Sequence, residues 1–274
     1  MTTHDEHATA SRRSILGGAM GAGALGLVGA GATGLAAAGP AAAHGTITSY
    51  SSINGARTVY EVNGALTTWG YRPSFHSRLD TWLAFWNANT PSSWANVSRV
   101  WSYGAHYDGR VTEAHNNGRG FDLSRLYTGS TRRFNARYDQ WRTLSGSDLA
   151  LTRRRYWATS ASAHYHFRNV LTYAYNGDHW NHIHIDNLVS GTANSSFDSS
   201  SRAQVLHVQA SCRYVWGLPT TVDGVWGSQT SGHSNRVLRA AGVATGGIGT
   251  QSRWLAFNRA TTRKGYGTQS YPAA

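Results

Sequence analysis

The stretch HWNHIHID, residues 179–186, places His179, His182 and His184 within six residues and Asp186 just beyond them. In an extended strand, successive side chains point to opposite faces. Ile183 and Ile185 then face a core, while His182, His184 and Asp186 point the other way together with Trp180. Each imidazole on such a face needs a partner, which a metal ion or a hydrogen bond can supply. A second group precedes it in HNNGRGFD, residues 115–122. Here His115 and Asp122 are separated by a segment containing Gly118 and Gly120, which let the chain turn tightly and return. Phe121 and Leu123 flank Asp122 and are expected to face the core, leaving Asp122 toward a cleft. Two imidazoles and a carboxylate, with one open position for water, suit zinc, since no thiolate is available among them. Zinc held this way lowers the pKa of water to about 7 and polarises a carbonyl.

The pair of motifs, HxxGxxxD followed by HxH, resembles the zinc signature of the D-Ala-D-Ala metallopeptidases and their murein-endopeptidase and extensin-like relatives. The resemblance covers roughly residues 95–190. It implies His115, Asp122 and His184 as zinc ligands and His182 as the group acting at the catalytic water. In the murein-endopeptidase branch a further histidine precedes that one by three, and His179 matches it. The carboxypeptidase branch carries a glutamate three before the last ligand. Asn181 stands there in this chain, which favours endopeptidase action with a histidine base. The reaction implied is hydrolysis of a peptide bond. His182 takes and returns the proton, and His179 hydrogen-bonds the water or the oxyanion. Asp186 is expected either to orient a histidine or to be solvated. Arg110 and Arg119 are candidates for gripping a substrate carboxylate, or are plain surface charge. Glu113, one of only three glutamates, is a weaker candidate for a catalytic carboxylate. His164 and His166 fall on different sides of an expected helix and read as structural or surface residues.

The elements needed to position these groups are legible from periodicity. Leu79, Trp82, Leu83 and Phe85 recur at three and four residues and predict an amphipathic helix over 77–89. Residues 95–107 read as a strand with a loop after it, and 113–126 as a turn followed by a short strand. The segment 148–175 lacks Gly and Pro and reads as one long helix or two, and 179–189 as a strand. The expected fold is α+β, a small antiparallel sheet with helices forming a zinc cleft, plus a small all-α C-terminal module. The expected organisation is a signal peptide at 1–43, a catalytic domain at 44–190, a linker at 191–201 and a wall-binding module at 202–268.

Both ends of the chain speak to location. Arg12 and Arg13 precede an uncharged run rich in Gly and Ala that ends in PAAAHG near Ala43. This reads as a cleaved secretory signal and resembles the twin-arginine type, with Ile15 where phenylalanine is usual. The membrane is then a partner only during export. In the tail, DGVWGSQT at 223–230 resembles the signature of the small helical peptidoglycan-binding module. Residues 245–252, TGGIGTQS, echo it without gaps.

The 274 residues carry a net charge of +12, nearly all from arginine, with Lys264 the single lysine. Such charge favours anionic partners, here peptidoglycan and anionic wall polymers. No block of consecutive arginines has the focus of a nucleic-acid arm, and the densest run, TRRRY at 152–156, reads as a solvated helix face. Cys212 stands alone, so no disulfide forms within the chain. Two other functions fit parts of the sequence. One is a non-catalytic wall-binding protein. The other is a copper polysaccharide mono-oxygenase using His44 as an N-terminal ligand after cleavage.

Overall fold

The computed structural model describes residues 46–106, 112–243 and 246–274. The expected signal peptide, His44, Arg110 and Thr245 lie outside the described residues. The fold is mixed α+β. In chain order the elements are β1 (Thr48–Tyr50), β2 (Ser52–Ile53), β3 (Ala56–Tyr60), β4 (Trp69–Tyr71), α1 (Pro73–Ala88), β5 (Arg99–Ser102) and α2 (Glu113–Asn116). They continue with β6 (Gly120–Thr128), β7 (Thr131–Asn135), α3 (Tyr138–Trp141), α4 (Gly146–His166), β8 (Asn169–Leu171), β9 (Ile183–Asp186), α5 (Arg202–Tyr214), α6 (Ser228–Ala240) and α7 (Gln251–Tyr266).

Strands β1 and β4 form a separate two-stranded antiparallel sheet. The main sheet has seven strands in the order β2-β3-β5-β6-β9-β8, with β7 also on β6. It is larger than expected and not wholly antiparallel, because β3 and β5 run parallel. Strand β6 is the hub. One side pairs with β5. The other pairs with β9 through residues 120–123 and with β7 through residues 125–128. The register against β5 shifts so that Ser102 faces Leu123 and Trp101 faces Arg125. Ser124 is the extra residue of this bulge, and such a residue re-aims its neighbours. Phe121, Leu123 and Leu126 are fully buried in the core, while Asp122, Ser124 and Arg125 share the opposite face.

Helix α1 starts with Pro73 in its first turn, where a missing N–H costs nothing. Phe75, Leu79, Trp82, Leu83 and Trp86 are its buried stripe. The indole N–H groups of Trp82 and Trp86 donate to Ser162 Oγ (3.0 Å) and Thr159 Oγ1 (3.3 Å) of α4. Helix α4 is buried continuously from Tyr156 to His166, as expected of a helix packed all round. It does not run to residue 175. Phe167 is extended (φ −121°, ψ 139°), and the chain then enters β8, whose Val170 pairs with Ile185 of β9. No Gly or Pro marks this stop, because cross-strand pairing imposes it.

Helices α5 (Arg202–Tyr214), α6 (Ser228–Ala240) and α7 (Gln251–Tyr266) follow in the tail, and α7 lies along α4. A Cβ added at Gly265 would sit 2.4 Å from Ala158 Cβ, so glycine permits this approach. Thr159 Oγ1 and Tyr266 OH are 2.6 Å apart across the same contact. The stretch expected as a linker is packed: Ser195 is buried, accepts from Trp254 Nε1 at 2.6 Å and donates to the His164 carbonyl. All described residues fall in one compact unit. In the tail, Asp223 Oδ1 accepts from Gln209 Nε2 and Val225 N, both at 2.8 Å, and α6 begins at Ser228. In the echo, α7 begins at Gln251, one position later in the repeat than Ser228. No helix among the described residues is long and apolar enough to cross a membrane.

Candidate metal centre

Strand alternation does bring the two motifs together. In the β6–β9 register Asp122 lies opposite His184, between the buried pairs Phe121–Ile185 and Leu123–Ile183. His115 comes from α2, a single turn that Thr112 caps by accepting from the His115 N–H at 3.3 Å. The chain then reverses to enter β6. Gly118 turns with φ +61°, and a Cβ there would lie 2.4 Å from the Ile47 side chain. A Cβ on Gly120 would lie 3.1 Å from His115 Nδ1, so this glycine leaves room for the ring.

Three side-chain atoms converge. His115 Nε2 lies 3.2 Å from His184 Nδ1 and 3.3 Å from Asp122 Oδ1, and His184 Nδ1 lies 2.9 Å from Asp122 Oδ1. A four-coordinate zinc with bonds of about 2.0–2.1 Å holds its ligand atoms about 3.3 Å apart. The triangle therefore has the dimensions of one face of such a site. The outer contacts fit the same use. His115 Nδ1 donates to the Ala105 carbonyl, which leaves Nε2 facing the cluster. His184 Nε2 lies 3.3 Å from Asp186 Oδ2, which leaves Nδ1 facing it. Asp186 Oδ1 is itself held by Asn169 Nδ2 and the Leu188 N–H, both at 3.0 Å. Metal-bound histidines typically hand their second nitrogen to a carbonyl or carboxylate in this way. His115, Asp122 and His184 form a group that could hold a metal ion.

The local field favours positive charge. Burial opposes the ionised form of Asp122, but hydrogen bonds from His115 and His184 outweigh it and hold the carboxyl well below the usual carboxylate range. Burial would lower His184, but Asp122 and Asp186 outweigh it and raise its pKa to about 9. The next two histidines lean the other way. Burial lowers His182, against the pull of Asp122, and lowers His179 to about 4, helped by His182 and His184.

His182 stands just before β9 rather than within it, with Nε2 3.4 Å from Asp122 Oδ1 and Nδ1 donating to Asn181 Oδ1 at 2.6 Å. His179 ends a short 3-10 turn, Gly177–His179, not the strand expected there. Its Nδ1 donates to Asn176 Oδ1, and its ring lies 5.2 Å from that of His182. Trp180 follows on the same turn and is 39% exposed, off the strand face assigned to it. Arg119 is committed to Asn187, through Nε to Oδ1 at 2.9 Å and Nη2 to the carbonyl. It braces the chain after β9. Glu113 is exposed at the start of α2 and is not part of the cluster.

Three features went unread in the sequence. A cavity of about 530 Å³ opens beside His115 and Asp122, walled by Tyr60, Trp69 and Tyr103. Buried Glu61 accepts from Ser124 Oγ (2.8 Å), Arg125 (2.7 Å) and Arg137 (2.8 Å) on the Asp122 face of the sheet. Arg137 also lies 5.6 Å over the Tyr103 ring. Glutamate is scarce enough here to have flagged Glu61, but its partners lie too far along the chain to be read. Asn181 and Asn176, which orient the two histidines, carried no local signal beyond the missing glutamate. No family model matches the chain, and neither a curated protein nor a solved structure matches it.

Proposed function

We propose that the chain is an exported zinc-dependent peptidase that hydrolyses stem or cross-link peptides of bacterial peptidoglycan, acting within the peptide rather than at its end. The observation that carries the reading is the convergence of His115 Nε2, Asp122 Oδ1 and His184 Nδ1 at 2.9–3.3 Å, with His182 Nε2 beside them. His115, Asp122 and His184 would hold the ion. Bound zinc supplies an acidified water and a Lewis-acid contact for a carbonyl.

The protein's own groups supply the remainder. His182 donates through Nδ1 to Asn181, so Nε2 is the free base, positioned to take a proton next to Asp122 and return it to the leaving amine. His179 donates through Nδ1 to Asn176 and keeps Nε2 as an acceptor, so it orients a water O–H. The aromatic cavity beside His115 would receive the substrate on one side of the centre and exclude water there. The cleft, the wall-binding role of helices α5 to α7 and the twin-arginine export route belong to this reading. The basic charge suits a wall with anionic polymers.

The test is mass spectrometry of purified sacculi digested with the protein, with and without chelator. New peptide termini that appear with zinc and vanish with chelator or with His182→Ala support the proposal. Sacculus binding without new termini replaces it with a non-catalytic wall-binding protein.

A further inference from the structure

A second site lies away from the metal centre, between β7 and α4. A pocket of about 150 Å³ is lined by Arg132, Arg133, Asn135, Trp141, Thr152 and Arg155, along with two apolar side chains. No carboxylate lines it. None of its three guanidiniums has an ion-pair partner among the described residues, whereas Arg125, Arg137 and Arg168 all do. Three like charges around one small pocket repel one another unless something negative enters.

Two of the three arginines are also held in place. Arg133 lies 4.4 Å and Arg155 5.5 Å from the centre of the Trp94 ring, so one indole seats both cations. Arg133 Nε donates to Thr128 Oγ1 at 2.7 Å, which leaves its terminal nitrogens for another partner. Trp141 is 3% exposed and forms a buried aromatic wall of the pocket. The lining thus supplies donors and positive charge from two elements, and arginine forks match oxyanion geometry. At this volume the pocket takes a single head group rather than a whole ligand, which usually needs about 300 Å³ or more.

We propose that the β7–α4 pocket binds one phosphate group, either as free inorganic phosphate or as a phosphodiester unit of a glycerol-phosphate polymer. The proposal does not rest on the peptidase reading, since no residue of this pocket lines the cavity beside His115. It turns the RRR run of α4 from a solvated face into one wall of a site, through Arg155.

The experiment is equilibrium dialysis of the full chain against radiolabelled inorganic phosphate and, separately, a soluble glycerol-phosphate oligomer. Saturable one-site binding of either probe is expected, weakened at least tenfold in Arg132→Gln/Arg155→Gln. The control Arg154→Gln/Arg239→Gln removes the same charge from exposed positions and is expected to stay within twofold of wild type. Oligomer binding alone assigns the polymer as source, and binding of phosphate alone assigns the free ion. Equal loss in both double variants, or no saturable binding of either probe, overturns the site. If the glutamine variant fails to fold by circular dichroism, Arg132→Lys/Arg155→Lys keeps the charge but loses the fork. It is expected to weaken binding severalfold, and unchanged binding would also overturn the proposal.

Discussion

Histidine occurs twice in this chain with the same spacing, as His164-Tyr165-His166 in α4 and as His182-Ile183-His184 at β9. The two regions end in opposite chemistry. On the helix, two residues span about 200°, so His164 and His166 face different neighbours. His164 packs 4.3 Å from the His207 ring, and His166 packs 5.1 Å from Phe85. No ring nitrogen of either has a hydrogen-bond partner. Burial drives His164 well below its usual pKa and His166 and His207 to about 3. At β9 the alternation turns His184 onto the same face as Asp122 and Asp186, and the carboxylates raise it to about 9. Spacing alone therefore does not make a metal site. The backbone period and the nearby carboxylates make a group that could hold an ion.

The largest test of this contrast is His184→Ala against His166→Leu. Zinc affinity, measured by competition with a chromogenic chelator, should fall in the first by more than the roughly 10–100-fold that losing an outer partner costs. In the second it should not change, because His166 touches no carboxylate. Equal loss in both would erase the distinction between the regions.

Acid should strike the helical histidines next. His166 and His207 are neutral in the fold, and the unfolded chain binds their protons more tightly. Their contribution is complete above about pH 6.5 and is lost progressively as pH falls toward 3. Each should add a slope on the order of 1 kcal/mol per pH unit below 6.5. Urea unfolding at several pH values between 7 and 5 measures it. His166→Leu should flatten the slope, and an unchanged slope would mean that His166 is already protonated in the fold. The smallest expected effect is that of Asp186→Asn, which weakens the outer contact to His184 Nε2 while keeping an acceptor there. Zinc affinity should fall about tenfold. A loss as large as that of His184→Ala would make Asp186 a ligand in its own right.

Much of the candidate site was legible because its signals are local. Alternation around Asp122 and around His184 assigned Phe121, Leu123, Ile183 and Ile185 to the core, and each is fully buried. The two glycines after His115 marked the turn that returns the chain. Helix α1 was readable from spacing. What escaped depends on partners far along the chain. The parallel β3–β5 pairing and the arginine ring around Glu61 are settled by residues dozens of positions away, and the end of α4 at His166 by a strand partner more than a dozen positions on. His179 was placed on a strand because its neighbours alternate, yet Gly177 and Asp178 wind it into a turn.

The seam at Gly265 has a mechanical consequence. With α7 lying on α4 and the serine-rich stretch tucked beneath Trp254, the tail has no leash on which to swing. Anything gripped by the groove of about 480 Å³ between Phe197, Trp226 and Ile248 would be kept at a constant offset from His184.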